Sequence, residues 1–131
     1  MALRVGVDAV RADRLRAVMS DDRQRRRQVF TERELGHCRD RRREYEHLAA
    51  RFAAKEAVLK AFGTGMSKRM RFTDVEIVND RSGRPRVVLA GAVREFARRH
   101  GLRQLDVSLT HTHGLAFATA ITAWEGRCAS T

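Results

Sequence analysis

The segment RFAAKEAVLKAFGTG, residues 51–65, lies in the longest stretch of helical pattern in the chain. Over residues 41–62, Leu48, Phe52, Leu59 and Phe62 recur at spacings compatible with a helix. Gly63 is placed to end that helix, because glycine adopts the left-handed conformation of a C-terminal cap at little cost. The pattern therefore predicts one long helix that stops at a GTG turn.

Five segments have the pattern of β-strands. Near the N-terminus, Leu3, Val5, Val7 and Ala9 alternate with other residues, which is typical of a half-buried strand, and Asp8 lies at the end of that strand. The turn-rich NDRSGRP, which holds the only proline, predicts a hairpin, and THTHG separates two final strands. The later strands are expected at residues 74–78, 86–89, 105–109 and 115–124.

Shorter helices are predicted at residues 11–19 and 92–100, and a further helix should begin at Thr31. Thr31 and Glu34 have the spacing of a capping box, in which both side chains bond free N–H groups at a helix start. The polar run DDRQRRRQ, residues 21–28, is interpreted as a solvated helix end or loop. The resulting order, β-α-α-α-β-β-α-β-β, indicates an α+β fold with a mainly antiparallel sheet packed against the long helix.

Composition narrows the class of protein. The 131 residues suit a single domain, residues 1–131, and 43% hydrophobic content indicates a folded chain. The apolar runs are shorter than the ~20 residues that cross a bilayer, and no secretory signal is recognised, so a cytoplasmic protein without membrane contact is expected. Cys38 and Cys128 lack metal-site spacing and are expected to be reduced thiols.

The net charge of +11 predicts an anionic partner, but does not identify it.

Asp8 and Glu56 are charged residues in otherwise apolar surroundings. Asp8 closes the first strand, and Glu56 interrupts an alanine-rich helix. Two carboxylates that meet in this way could hold Mg²⁺, which takes oxygen ligands together with waters and phosphates. The alternative is structural: Asp8 would cap the next helix, and Glu56 would pair with Lys60 on a solvated helix face. Spacing alone favours the structural alternative.

Other basic residues could contact phosphate. Lys60 follows Glu56 by one helical turn and would share the charge of a pyrophosphate with a bound metal, although a surface ion pair explains the spacing equally well. Arg42, Arg43 and Arg51 could clasp a second phosphate, or could simply be solvated. His111 and His113 form an HxH pair without further convincing metal ligands. The scattered aromatic residues form no stripe that would stack on nucleic-acid bases, which argues against nucleic acid as the partner.

The segments taken together resemble the holo-acyl-carrier-protein synthase family of 4′-phosphopantetheinyl transferases. The resemblance lies in VGVDAV at 5–10, FTERELGHC at 30–38, RFAAKEAVLKAFGTG at 51–65, FTDVEIVNDRSGRPRVVLAG at 72–91 and VSLTHTHGLAFATAI at 107–121. The most specific of these is RFAAKEAVLKAFGTG, which occurs here with an upstream GxD and a downstream S-x-[ST]-H. The resemblance implies the transferase fold and an Mg²⁺-dependent enzyme.

The resemblance also implies roles for individual residues. Asp8 and Glu56 match the family's two Mg²⁺ ligands, and Lys60 matches the lysine that contacts the diphosphate of coenzyme A. Positions that bind the 3′-phosphate end of coenzyme A correspond to Arg42, Arg43, Arg51 and His111. Backbone positions that border the nucleotide correspond to Gly63, Gly65 and Pro85. The acidic carrier protein is expected to dock on Arg14, with Arg11 and Arg16 as helpers.

The small members of the family form homotrimers with active sites between subunits. By resemblance, one subunit would offer the GxD strand and its neighbour would offer the KEA helix or the surroundings of that helix. This chain departs from the common pattern at Arg11, where an acidic residue is frequent, at Ala50, where glycine is frequent, and at Phe72, where tryptophan is frequent. These departures leave the proposed chemistry in place and bear on partner preference and packing.

The resemblance implies transfer of the 4′-phosphopantetheine group from coenzyme A to a serine of an apo acyl carrier protein, with release of adenosine 3′,5′-bisphosphate. Fatty-acid, polyketide and peptide pathways all remain open as the source of the carrier, as does the acceptor of the serine proton. Two other functions stay in view: a small basic nucleic-acid-binding protein without activity, and a silent trimeric adaptor that binds carrier proteins. Retention of Asp8, Glu56 and Lys60 argues against the adaptor.

Overall fold

A long central helix organises the fold. The computed structural model describes residues 1–39, 42–67 and 69–126, and its longest helix is α4, Glu44–Phe62. Gly63 ends this helix with φ of 77°, as predicted from the sequence. The predicted helix start at position 41 lies outside the described residues. Most side chains of α4 are buried, because strands of both sheets and two of the shorter helices contact it.

Two antiparallel sheets surround this helix. The larger sheet has the order β1-β5-β4, formed by Ala2–Arg11, Leu115–Trp124 and Leu102–Thr112. The smaller is a hairpin of β2, Val75–Asn79, and β3, Pro85–Leu89. The prediction of an α+β fold with antiparallel strands against a long helix is confirmed. Among the described residues, no helix is both long enough and apolar enough to cross a membrane.

The remaining helices are α1, Ala12–Met19; α2, Arg23–Val29; α3, Glu32–Cys38; and α5, Gly91–Arg99. The interpretation of DDRQRRRQ as a helix end or loop was wrong, because most of it forms α2. The Asp22 carboxylate caps this helix by accepting a hydrogen bond from the Arg25 backbone N–H at 2.9 Å. The capping box of Thr31 and Glu34 at the start of α3 is confirmed.

The two faces of β1 have opposite environments. Leu3, Val5 and Val7 are 67%, 62% and 59% exposed, whereas Gly6, on the other face, is buried. The half-buried strand was predicted correctly, but its alternating apolar side chains lie on the face that is turned away from the helix. The helix packs instead against the face that carries Gly6. On β5, Phe117 and Ile121 continue the exposed apolar surface.

Gly6 allows β1 to approach α4 very closely. A Cβ atom at Gly6 would collide with the carbonyl oxygen of Ala57 and would lie 2.7 Å from the backbone nitrogen of Ala61. Both alanines are buried, so a glycine of the strand packs against a face of the helix that carries small side chains. Asp8 follows two residues later on the same face of the strand, and is thereby brought to the helix.

Gly6→Ala is therefore expected to destabilise the protein by about 3 kcal/mol, because the backbones of β1 and α4 must separate. Gly36→Ala is the control, since Gly36 lies within α3 and its added Cβ would meet nothing within 4 Å. That control should leave stability unchanged or raise it by up to about 1 kcal/mol. Urea denaturation measures both variants, and wild-type stability of Gly6→Ala would contradict the close-approach account.

Candidate active site

An ion pair joins the end of β1 to α4. The Lys60 ammonium lies 2.9 Å from Asp8 Oδ1 and also donates to the Val7 carbonyl at 3.1 Å. The Asp8 carboxylate raises the pKa of Lys60, mainly by hydrogen bonding and then by charge. The alternative in which Asp8 caps the next helix is not what the structure shows, since the N-cap of α1 is Arg11. Asp8 is instead a carboxylate presented to α4.

Glu56 lies one helical turn before Lys60 and is partly buried. Burial is the main cause that raises its pKa, and the nearby charge of Asp8 raises it further, while Lys60 acts in the opposite direction. The ion pair that Lys60 makes is with Asp8 rather than with Glu56. Two negatively charged carboxylates, Asp8 and Glu56, therefore lie near the positive charge of Lys60. An excess of negative charge of this kind favours the binding of a cation.

The GTG turn follows this cluster directly. Gly63 and Gly65 have φ of 77° and 59°, in the left-handed region that glycine adopts without strain. Both glycines are exposed and lie immediately beyond the helix end that carries Lys60. The backbone of this turn is therefore open to a ligand bound at Lys60.

A second group of predicted residues lines a cavity of about 490 Å³. Arg51, Pro85 and His111 all contribute to its wall, whereas the described residues Asp8, Glu56 and Lys60 do not. Arg51 is 5% exposed, and its guanidinium donates to Asn79 Oδ1 at 2.7 Å. The Arg51 Nε is buried without a hydrogen-bond partner among the described residues. An arginine on the wall of a cavity is suited to an anionic ligand.

Arg42 and Arg43 are exposed residues just before α4. The Arg43 guanidinium lies 3.8 Å from the Glu46 carboxylate, and the same carboxylate oxygen lies 3.2 Å from His111 Nδ1. Arg43 is thus linked to the cavity through Glu46, whereas Arg42 has no described contact with the cavity wall. Sequence reasoning did not single out Glu46, because one more carboxylate near a helix start carries no distinguishing pattern.

The residues proposed for the carrier protein lie on or beside α1. Arg14 is exposed; Arg11 pairs with Asp13 at 2.8 Å; and the Arg16 guanidinium lies over the ring of Tyr45. Val18 is 48% exposed, one turn after Arg14 on the same helix. This surface combines positive charge with an exposed apolar residue.

Residues 4–120 match the family model described as the 4′-phosphopantetheinyl transferase superfamily. The chain belongs to this superfamily. A holo-[acyl-carrier-protein] synthase of Ruminiclostridium cellulolyticum is 42% identical over 123 residues, which are 92% of each chain. The corresponding protein of Moorella thermoacetica is 41% identical over 119 residues, covering 91% of this chain and 92% of its own.

Solved structures of the family have the same fold. The ACPS–CoA complex of Chronobacterium ammoniagenes superposes with a TM-score of 0.84 at 30% identity, and the match covers 96% of this chain and 100% of the other. The acyl carrier protein synthase of Mycobacterium tuberculosis has a TM-score of 0.72 at 35% identity, over 93% of this chain and 97% of its own. The resemblance stated from the sequence motifs is confirmed.

The donor set of this transferase fits Mg²⁺ through two side chains. Among the described residues, no group of three or more histidine, cysteine, aspartate or glutamate side chains is placed to hold a metal ion. Asp8 and Glu56 nevertheless supply the one or two carboxylates that Mg²⁺ commonly takes, with waters and substrate phosphates completing its shell. Burial raises the pKa of Glu56, and the negative charge of Asp8 raises it further, so the two carboxylates lie close enough to act on one another.

Sequence reasoning also missed the buried ion pair of Lys55. Its side chain is fully buried and lies 2.8 Å from Glu34 Oε1, and its ammonium donates to the carbonyls of Phe72 and Val75. Glu34 accepts from the Ile77 N–H at 2.8 Å, so the pair joins α3, α4 and β2. Burial lowers the pKa of Lys55, an effect that Glu34 opposes. A lysine directly before Glu56 gives no sign in the sequence that it points inward.

Proposed function

We propose that this chain is an Mg²⁺-dependent holo-acyl-carrier-protein synthase, which transfers 4′-phosphopantetheine from coenzyme A to a serine of an apo acyl carrier protein. The observation that carries the proposal is the meeting of Asp8, Glu56 and Lys60 beside the open GTG turn. Relatives named holo-[acyl-carrier-protein] synthase, and the structure of the Chronobacterium ammoniagenes ACPS–CoA complex, support the same reaction.

In the proposed reaction, the serine oxygen forms a bond to the β-phosphorus of coenzyme A. The bond from that phosphorus to the bridging oxygen breaks, and adenosine 3′,5′-bisphosphate leaves. Lys60 would stabilise the charge that develops on the bridging oxygen. The serine proton would pass to Glu56 through a water molecule. Mg²⁺ held by Asp8 and Glu56 would supply charge neutralisation to the diphosphate.

The 3′-phosphate end of coenzyme A is assigned to the cavity lined by Arg51, Pro85 and His111. Its wall includes Arg51 and His111, and Arg43 approaches through Glu46. The phosphate oxygens would accept hydrogen bonds from these side chains, and the geometry of an arginine guanidinium is well matched to phosphate. Gly63 and Gly65 would let the turn backbone run alongside the nucleotide.

The proposed active site lies between subunits of a homotrimer. Asp8 and Lys60 contact one another within one chain, which favours the form of this arrangement in which the neighbouring subunit offers the surroundings of the KEA helix. The surroundings of that helix are the part that subunits would share. Ile121 belongs both to the exposed apolar sheet face and to the cavity wall, so a subunit that covered the face would also wall the cavity.

The acidic carrier protein is proposed to dock on α1 through Arg14 and Val18, with Arg11 and Arg16 beside them. Opposite charge would accelerate the encounter, and the exposed valine would supply apolar contact. We further propose that the protein is cytoplasmic and that residues 1–131 form a single domain. The biosynthetic pathway to which the carrier protein belongs stays open. Nucleic acid is not part of the proposal.

Glu56→Gln is expected to lower the transfer rate at least about 100-fold while the protein remains folded, because a carboxylate of the proposed metal pair is lost. Release of adenosine 3′,5′-bisphosphate, followed by chromatography with Mg²⁺ present, measures the rate. Glu95→Gln, an exposed change on α5, is the matched control and should behave as wild type. A Glu56→Gln variant with normal turnover would remove Glu56 from the reaction.

Val5→Asp is expected to convert the trimer to monomers and to reduce transfer, since it places a charge within the apolar face. Val88→Asp is the control, because Val88 is a similarly exposed valine, at 42%, on the separate hairpin. Light scattering on a size-exclusion column gives the mass of each. Unchanged mass of the Val5→Asp variant, or a monomeric wild type, would refute the assigned interface.

A further inference from the structure

Glu46 places a negative charge beside basic groups that are suited to bind anions. It lies in the first turn of α4, at the edge of the cavity that His47, Arg51 and His111 line. A single oxygen of its carboxylate, Oε2, is 3.2 Å from His111 Nδ1 and 3.8 Å from the Arg43 guanidinium. Its side chain is 25% exposed, so water reaches the carboxylate while it remains in contact with both groups.

The two groups that contact Glu46 are the ones that the proposed function assigns to phosphate. A carboxylate and a phosphate present the same kind of oxygen acceptor, so they compete for the same N–H donors. A phosphate carries more negative charge and three free oxygens, so it can contact Arg43 and His111 more fully than one carboxylate oxygen does. If it took over both contacts, the Glu46 carboxylate would be left beside it as a like charge.

We propose that Glu46 is an internal competitor for the 3′-phosphate of the nucleotide. In the free protein it occupies Arg43 and His111, and it must release them when the phosphate binds. The inference rests on the proposed function, because it requires the 3′-phosphate to enter this cavity. Its consequence is a weaker hold on every ligand that carries that phosphate, including the adenosine 3′,5′-bisphosphate product, which must leave before the next turnover.

The exchange can take place without disturbing the fold. Glu46 is partly exposed and lies near the start of the helix. A displaced carboxylate can turn toward water there and still be attracted by the partial positive charge of the helix N-terminus. His111 is fixed on β4 by its backbone pairing with Ala116 of β5. The ring of His47 lies 5.8 Å from that of His111 and supports it from the side. The donors therefore stay near the cavity while their acceptor changes.

Calorimetric titration with two nucleotides tests this inference directly. Adenosine 3′,5′-bisphosphate carries the phosphate in question, and 5′-AMP lacks it. Glu46→Gln should tighten the Kd of the bisphosphate by about three- to tenfold, because the competing charge is gone, and should change that of 5′-AMP by less than about twofold. Raising the salt concentration should shrink the gain, since the effect is a charge repulsion near the surface.

Glu44→Gln is the matched control. It removes the same charge from the same helical turn, where Glu44 is also partly buried, so it reproduces the change in net charge and in the helix N-terminus. It should leave the Kd of both nucleotides close to wild type. Thermal unfolding of both variants shows whether the fold is retained.

Weaker binding of the bisphosphate by Glu46→Gln would overturn the inference, because Glu46 would then be holding the donors in place for the phosphate. An unchanged Kd, or equal tightening by Glu44→Gln, would overturn it as well. The proposed placement of the nucleotide stands in all of these cases. Only equal affinity of the wild type for the two nucleotides would remove the phosphate from the cavity, and with it both proposals.

Discussion

The close contact between β1 and α4 is the constraint on which the site depends. At Gly6, a side chain of any size would meet the carbonyl of Ala57, so strand and helix touch through their backbones. This approach brings Asp8 to within 2.9 Å of Lys60 and close enough to Glu56 to raise its pKa. The opposite face of β1 is thereby turned outward with Leu3, Val5 and Val7. One packing contact thus yields both the carboxylate pair and the exposed apolar surface.

The charged side chains of helix α4 lie in three different environments. Its Glu56 and Lys60 face β1, its Arg51 faces the cavity, and its Lys55 is buried against Glu34. A buried lysine loses the favourable hydration of its charge, and this cost is offset here because Glu34 and two backbone carbonyls surround the ammonium. The same pair fixes β2 on the helix, and β2 carries Asn79, the partner of Arg51. Interior electrostatics and the shape of the cavity are therefore connected.

Much of this could be predicted from the sequence, and the exceptions have physical causes. Helix stops and caps depend on a few adjacent residues, so Gly63 and the Thr31–Glu34 box were predicted correctly. Alternation in β1 reveals a strand, but it does not say whether the apolar face packs against this chain, so the exposure of Leu3, Val5 and Val7 could not be predicted from it. Arginine-rich α2 lacks an apolar periodicity and was missed. Lys55 and Glu46 were missed because only tertiary packing distinguishes them from surface charges.

The measurement that tests the account most directly is the intact mass of an apo acyl carrier protein after incubation with this protein, coenzyme A and Mg²⁺. The account predicts a gain of one phosphopantetheine group, located on a serine by fragmentation, and loss of that gain when the metal is chelated. A panel of carriers that all keep their original mass would contradict the transferase assignment, provided that each carrier is modified by another synthase in parallel. Modification that persists under chelation would contradict the role given to Asp8 and Glu56.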